Sequence, residues 1–318
     1  MQKVLFCTLL SLLLFSACQK ELNYSNTGTN IITGTDTIYL DTVYVAGIRA
    51  GIPDTFKLLS YHYDVQNRLA LAKWVPFRIS SSYSDSGSIA FYYNGPDTLP
   101  YKSVSLRTYD LNKSFDTSTV FYFYDNSGRL IKDSTTGTGN SFNRVFYTSD
   151  GITTYAYNTG RVSSQGIMKT TSSQYPGIIQ TWQEKDTSLI NTGGDIAKSS
   201  YYIFDPVSSS FRKASEKTIT YDNNSIAYRY LNIFNSLKPV FSASSELFPP
   251  FNGQRLLNNP VQVSTIHYDN LGNPVSTIVT NSNYQYRSNG MPVNSSHDDP
   301  SLPLPGRSIQ YYYQYRSF

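Results

Sequence analysis

The residues able to do chemistry are few and scattered. The chain of 318 residues holds two cysteines, three histidines and 22 acidic side chains. Cys7 lies within the apolar N-terminal run and Cys18 at its end, so the rest of the chain has no thiol for catalysis or disulfides. A zinc site would need all three histidines or several carboxylates. No H-E-x-x-H, G-x-S-x-G or phosphate-cradling glycine loop occurs. His62 and His267 each precede a tyrosine that ends an alternating stretch, which makes them half-exposed sheet residues on the face opposite that tyrosine. His297-Asp298-Asp299-Pro300 has the composition of a cation site, but adjacent Asp side chains diverge, and a solvated turn is the plainer reading. Paired carboxylates could serve a glycosidase, yet no pair stands out. The reading is of a non-enzyme with no catalytic residue, no metal and no cofactor.

Aromatics are the richer resource, with 28 Tyr, 17 Phe and two Trp. Rings on a sheet face can stack on sugars or other partners, and Trp74 and Trp182 are the best single candidates. The plainer alternative is cross-strand pairing that holds hairpins together. A formal net charge of +4 is too small to imply nucleic acid. Only four of the 22 acidic residues are Glu, a bias toward turns and away from helices.

The elements that must position these rings are hairpins. Residues 120–132, V-F-Y-F-Y-D-N-S-G-R-L-I-K, read as a strand, a tight turn and a return strand. Asp125 can accept bonds from turn amides, and Gly128 falls where a positive φ is needed. Asp64 with Asn67, and Asp269 with Gly272, repeat the arrangement; Gly290 keeps the glycine without the acid. Upstream of each tyrosine, aromatic and β-branched residues alternate, as in a strand with one buried face. The copies are unequally spaced, so the expectation is an all-β antiparallel meander forming a curved open sheet or flattened sandwich. Ile226, Tyr230, Ile233, Phe234 and Leu237 recur at helical spacing and predict one short helix near 226–237. In the last strand the row counted back from Phe318 is mostly polar, which argues against an outer-membrane barrel. Phe121 and Phe123 make their strand apolar on both faces. They are expected to be covered; if exposed, they would mark a binding surface.

Residues 1–17 read as a signal peptide: Lys3, an apolar run too short to span a membrane, and small residues before Cys18. Phe15-Ser16-Ala17-Cys18 resembles a bacterial lipobox, which implies that Cys18 carries lipid. Residues 18–35 make a polar tether and residues 36–318 a single domain. Tyr-Asp-x-x-Gly-Arg-Leu followed by an apolar return strand resembles the YD-type repeats of bacterial envelope proteins. More closely it resembles the YD-hairpin outer-membrane lipoproteins of Bacteroidota, many of unknown function. The resemblance implies an outer-membrane address through the lipid, on either face of that membrane, with a glycan or envelope protein as partner. The expected role is a non-catalytic scaffold or binding protein. A glycan-binding accessory of a polysaccharide-uptake system is the alternative, and a glycoside hydrolase comes third.

Overall fold

The computed structural model describes residues 38–49, 52–75, 85–109, 114–140, 145–225, 257–298 and 308–317. Sixteen strands follow one another: β1 (Ile38–Arg49), β2 (Ile52–Tyr63), β3 (Leu69–Trp74), β4 (Asp85–Tyr92), β5 (Lys102–Tyr109) and β6 (Ser114–Tyr124). Next come β7 (Leu130–Asn140), β8 (Phe146–Asn158), β9 (Arg161–Ser172), β10 (Tyr175–Ile190) and β11 (Ile196–Asp205). The last five are β12 (Ser210–Ser225), β13 (Asn258–Tyr268), β14 (Pro274–Tyr286), β15 (Pro292–Asp298) and β16 (Ser308–Ser317). Each pairs antiparallel with its sequence neighbours, and β1 also pairs with β16, so the sheet closes into a barrel. This corrects the expected open sheet or sandwich: closure leaves no edge of unpaired backbone groups. The expected helix near 226–237 lies outside the described residues, and among those described no helix occurs.

Register propagates two faces around the whole barrel. One face carries Leu40, Val43, Val45, Leu59, Tyr61, Leu69 and Ala72 on β1–β3, all buried, and continues through Ser103, Asp133, Ser164 and Ser188. This face points inward. Tyr221 on β12 packs against the β1–β3 and β16 cluster although three strands, about 19 Å of wall, separate it from β16. It reaches the cluster only across the interior.

The outward face is mixed. Lys57, Lys73, Lys132, Lys169, Lys185 and Lys198 occupy it, with Asp150 directly opposite Lys169, beside the exposed apolar residues Leu106, Phe121, Phe123, Ile152, Ile167 and Val279. Glu216 there accepts from Lys198 and Lys213, each at 2.7 Å. Gln310, Tyr312 and Gln314 are outward on β16, while Ile309, Tyr311 and Tyr313 turn inward. The polar row of the last strand was thus legible. The inference from it failed, because β1 pairs with β16 and closes the sheet into a barrel despite that polar row.

The sixteen strands form eight hairpins, open at one end, and in the six that follow, a tyrosine clamps that end. The clamping hydroxyl belongs to a residue at or near the end of the hairpin and donates to a carbonyl at or near its start. Tyr63 donates to Leu40 at 2.6 Å, Tyr93 to Leu69 at 2.8 Å and Tyr124 to Pro100 at 2.9 Å. Tyr157 donates to Leu130 at 2.8 Å, Tyr221 to Ile196 at 2.7 Å and Tyr315 to Pro292 at 2.8 Å. Between hairpins, Asp125 accepts from the Ser127 and Arg129 amides, both at 2.9 Å, and from Arg129 Nε at 2.7 Å. Asp64 does the same with Gln66 and Arg68. The guanidiniums then cover the clamp rings, Arg68 at 4.2 Å from Tyr93 and Arg129 at 5.0 Å from Tyr157. For the first hairpin Arg316, from the far end of the sequence, takes that place over Tyr63 at 4.9 Å and donates to the Tyr61 carbonyl. Asn67 and Gly128 have φ of 59° and 74°, and Gly272 and Gly290 have 82° and 78°.

Counted this way, hairpins begin at Leu40, Leu69, Pro100, Leu130, Val162 and Ile196, close to every 30 residues. The uneven spacing read from the sequence had two causes. Clamp positions such as Tyr93 and Tyr315 lack the Y-D turn, and the Asp269 turn lies at the opposite end of the barrel.

Candidate functional site

A sixteen-stranded barrel is normally wide enough for an aqueous channel. Here the clamp end is plugged. Leu130, Tyr155 and Val162 form a second cluster, and Ile196 with Ile219 a third. Tyr122 and Tyr124 join the second cluster to the first, Ile190 joins it to the third, and Tyr221 joins the third back to the first. Apolar packing therefore runs around the wall and across the interior.

Polar groups inside are mostly engaged with the wall itself. Asp133, buried on β7, accepts from Tyr155 at 2.6 Å; burial, and then the Asp133 charge, push the Tyr155 hydroxyl well above its usual pKa. Asp195, fully buried, accepts from the Leu257 amide and from Asn258 Nδ2 at 2.8 Å. Asp222 accepts from Tyr286 and from the Asn224 amide at 2.9 Å. These acids fix the return of the chain into β13.

His297 overturns the solvated-turn expectation. It lies on β15 facing inward, while Asp298 faces outward, so the two do not converge. Ser282 Oγ meets His297 Nδ1 at 2.7 Å and Ser295 Oγ meets Nε2 at 2.8 Å; Ser295 also bonds Tyr313 at 2.8 Å. Burial lowers the His297 pKa to about 4. The imidazole is a neutral link between two hydroxyls, with no carboxylate to orient it as a base. Among the described residues no three His, Cys, Asp or Glu gather as a metal site. His62 is outward and exposed, and His267 is inward.

The aromatic candidates separate. Trp74 is inward and packed into the filled wall; a Cβ on Gly87 would meet its ring at 2.4 Å. It is a core residue. Phe121 and Phe123 point outward and are exposed by 40% and 46%, with Lys132 Nζ 5.3 Å from the Phe123 ring. They are not covered, contrary to expectation. Trp182 faces inward like Trp74 but is 50% exposed, beside Met168 at 42%. It stands eight residues up β10 from Ile190, beyond the plug. Cys18 lies outside the described residues.

Around Trp182 the register builds three rows on the inner face of β10, β9 and β8. The middle row is Trp182, Met168 and Gly151. The flanking rows are Gln180, Thr170 and Ser149 on one side, and Glu184, Gly166 and Thr153 on the other. Met168 Cε lies 3.6 Å from where a Gly151 Cβ would stand, so the thioether covers the glycine. Glu184 Oε2 accepts from Tyr201 at 3.1 Å, and burial with the Glu184 charge raises the Tyr201 pKa. An apolar strip thus lies between two rows of hydrogen-bonding groups. Sequence alternation puts Trp182 on the inner face, but only its height above the plug distinguishes it from Trp74.

The class these features define is a closed sixteen-stranded antiparallel barrel with apolar packing inside it and an outer face that mixes charged with exposed apolar side chains. No family model and no curated protein matches the sequence. Among solved structures the fold is similar to that of a porin-like protein from Bacteroides vulgatus ATCC 8482. The TM-score is 0.51 at 15% identity, over 88% of this chain and 99% of that one. A porin-like protein from Bacteroides uniformis ATCC 8492 matches at 12% identity and a TM-score of 0.33, over 87% of this chain and 98% of that one, too weakly to support an argument.

Proposed function

We propose that this protein is a lipid-anchored barrel of the outer membrane that stands in water and binds a partner or ligand without transforming it. The carrying observation is the outward face. A barrel crossing a bilayer needs an apolar belt about 25 Å tall, and a midplane Lys costs about 2–4 kcal/mol. Outward lysines on β2, β3, β7, β9, β10 and β11 and the Lys198–Glu216–Lys213 network interrupt the outward apolar residues Leu106, Phe121, Phe123, Ile152, Ile167 and Val279 and so disfavour such a belt. Attachment then falls to the lipid on Cys18 implied by the lipobox-like sequence. The YD-hairpin resemblance and the likeness to a porin-like barrel both favour the outer-membrane address. Solute passage, the role suggested by that neighbour's description, is disfavoured by the plug of Tyr122, Tyr124 and Tyr221. A binding role without catalysis is supported by inward acids that hold the wall itself, such as Asp133 and Asp195.

Fractionation tests the anchor. The wild-type chain should pellet with outer membranes, whereas Cys18→Ser should be released or persist as uncleaved precursor. Unchanged processing and membrane association of Cys18→Ser would remove the anchor from this reading.

A further inference from the structure

We infer that the inner face of β8–β10 beyond the plug is a carbohydrate site, with Trp182 as the platform for one neutral sugar ring. The inference rests on the binding role proposed above and names its ligand class. Other inward aromatics are mostly packed: Tyr61 and Tyr313 are buried and Trp74 fills the space over Gly87, while Tyr175, at the start of β10, is open as Trp182 is. Trp182 is inward, half exposed, and supported from one side by Met168.

The chemistry of the surroundings selects the occupant. A pyranose has apolar C–H faces and a girdle of hydroxyls. The middle row, Trp182, Met168 and Gly151, matches the C–H face. Rows two residues away along each strand, about 6.8 Å to either side, match the girdle. Gln180 can donate and accept, Thr170, Ser149 and Thr153 offer hydroxyls, and Glu184 keeps Oε1 as an acceptor beyond its bond from Tyr201. An apolar peptide or acyl chain would leave both flanking rows unpaired on docking, a desolvation cost that disfavours it. Met168 fills the space over Gly151 beside the indole, and the half-exposed indole leaves a face on which a ring can lie flat.

The experiment titrates the full-length, detergent-solubilised protein with cellohexaose, maltohexaose, xylohexaose and chitohexaose, with a leucine-rich decapeptide as the apolar control. Trp182 and Trp74 are the only tryptophans, and Trp182 is much the more exposed, so indole fluorescence and its quenching by acrylamide report the site directly. At least one hexasaccharide should shift the emission and protect it from quenching, and should bind at least tenfold more weakly to Trp182→Ala by calorimetry. Trp182→Phe, which keeps a platform, should recover part of that loss, and Val279→Ser, on the outer face of β14, should change nothing. Oligosaccharide binding that survives Trp182→Ala intact would leave a glycan-binding protein with its site elsewhere and overturn this assignment. Absence of any oligosaccharide response in the folded protein, or binding of the decapeptide alone, would overturn the ligand class as well. Neither result bears on the Cys18 anchor, which is read separately by fractionation.

Discussion

Two stretches of the same inner wall solve the packing problem in opposite ways. On β1–β3 the inward residues are Leu40, Val45, Leu59, Tyr61, Leu69 and Ala72, nearly all of them fully buried. On β7–β10 the inward residues include the small Leu130–Tyr155–Val162 cluster, but elsewhere Asp133, Gly137, Ser149, Gly151, Thr153, Ser164, Gly166 and Ser188 put hydroxyls and glycines in place of volume. The first wall is held by apolar burial throughout, the second by one small apolar cluster, backbone ladders and a few polar pairs. Only the second leaves space above the plug, and there Trp182 stands open. A barrel that offers an interior surface can be filled on one side and thinned on the other.

Substitutions can sharpen or break that contrast. Leu69→Ala in the filled wall should cost about 2–5 kcal/mol, because the cavity has rigid neighbours on every side. Thr170→Ala in the thin wall should stay within about 0.5 kcal/mol; equal losses in chemical denaturation would erase the distinction. His297 predicts a pH effect. Its folded pKa of about 4 lies below the free imidazole value near 6.5. Between those values the unfolded chain binds a proton that the folded chain refuses. Its contribution is fully present above pH 6.5 and is lost as pH falls through that window, by up to about 3 kcal/mol in all. His297→Gln should flatten the stability profile there, and an unchanged slope would place the imidazole in water. The same substitution should then have opposite consequences in the two walls. Tyr155→Phe should cost about 1–3 kcal/mol by leaving buried Asp133 without its donor, whereas Tyr61→Phe, in a site that gives the hydroxyl no partner, should be neutral or stabilising by about 1 kcal/mol.

The turns were legible because their chemistry is local. Asp125 and Gly128 lie within four residues of everything they bond. The barrel was not. Pairing of β1 with β16 joins residues near 40 to residues near 315, and no local pattern records it. Arg316 completes the first clamp, yet in the sequence it is only a cation after a tyrosine. The period of the hairpins was hidden where Tyr93 and Ile190 stand without the Y-D turn. Phe121 and Phe123 were expected beneath a second layer, but a single closed sheet has none to offer, so they stand exposed on the outer face. Trp74 and Trp182 obey the same alternation, and their different fates depend on height along the barrel, which composition and period do not encode.

The central claim is that strands closed like a membrane barrel here face water. The most direct measurement is the solution behaviour of residues 37–318, which form one compact unit, in buffer without detergent. A monodisperse, β-rich species that unfolds cooperatively and whose circular dichroism is unchanged by added micelles is the predicted result. A chain that aggregates in buffer and acquires its β-structure only in micelles or bilayers would contradict the account.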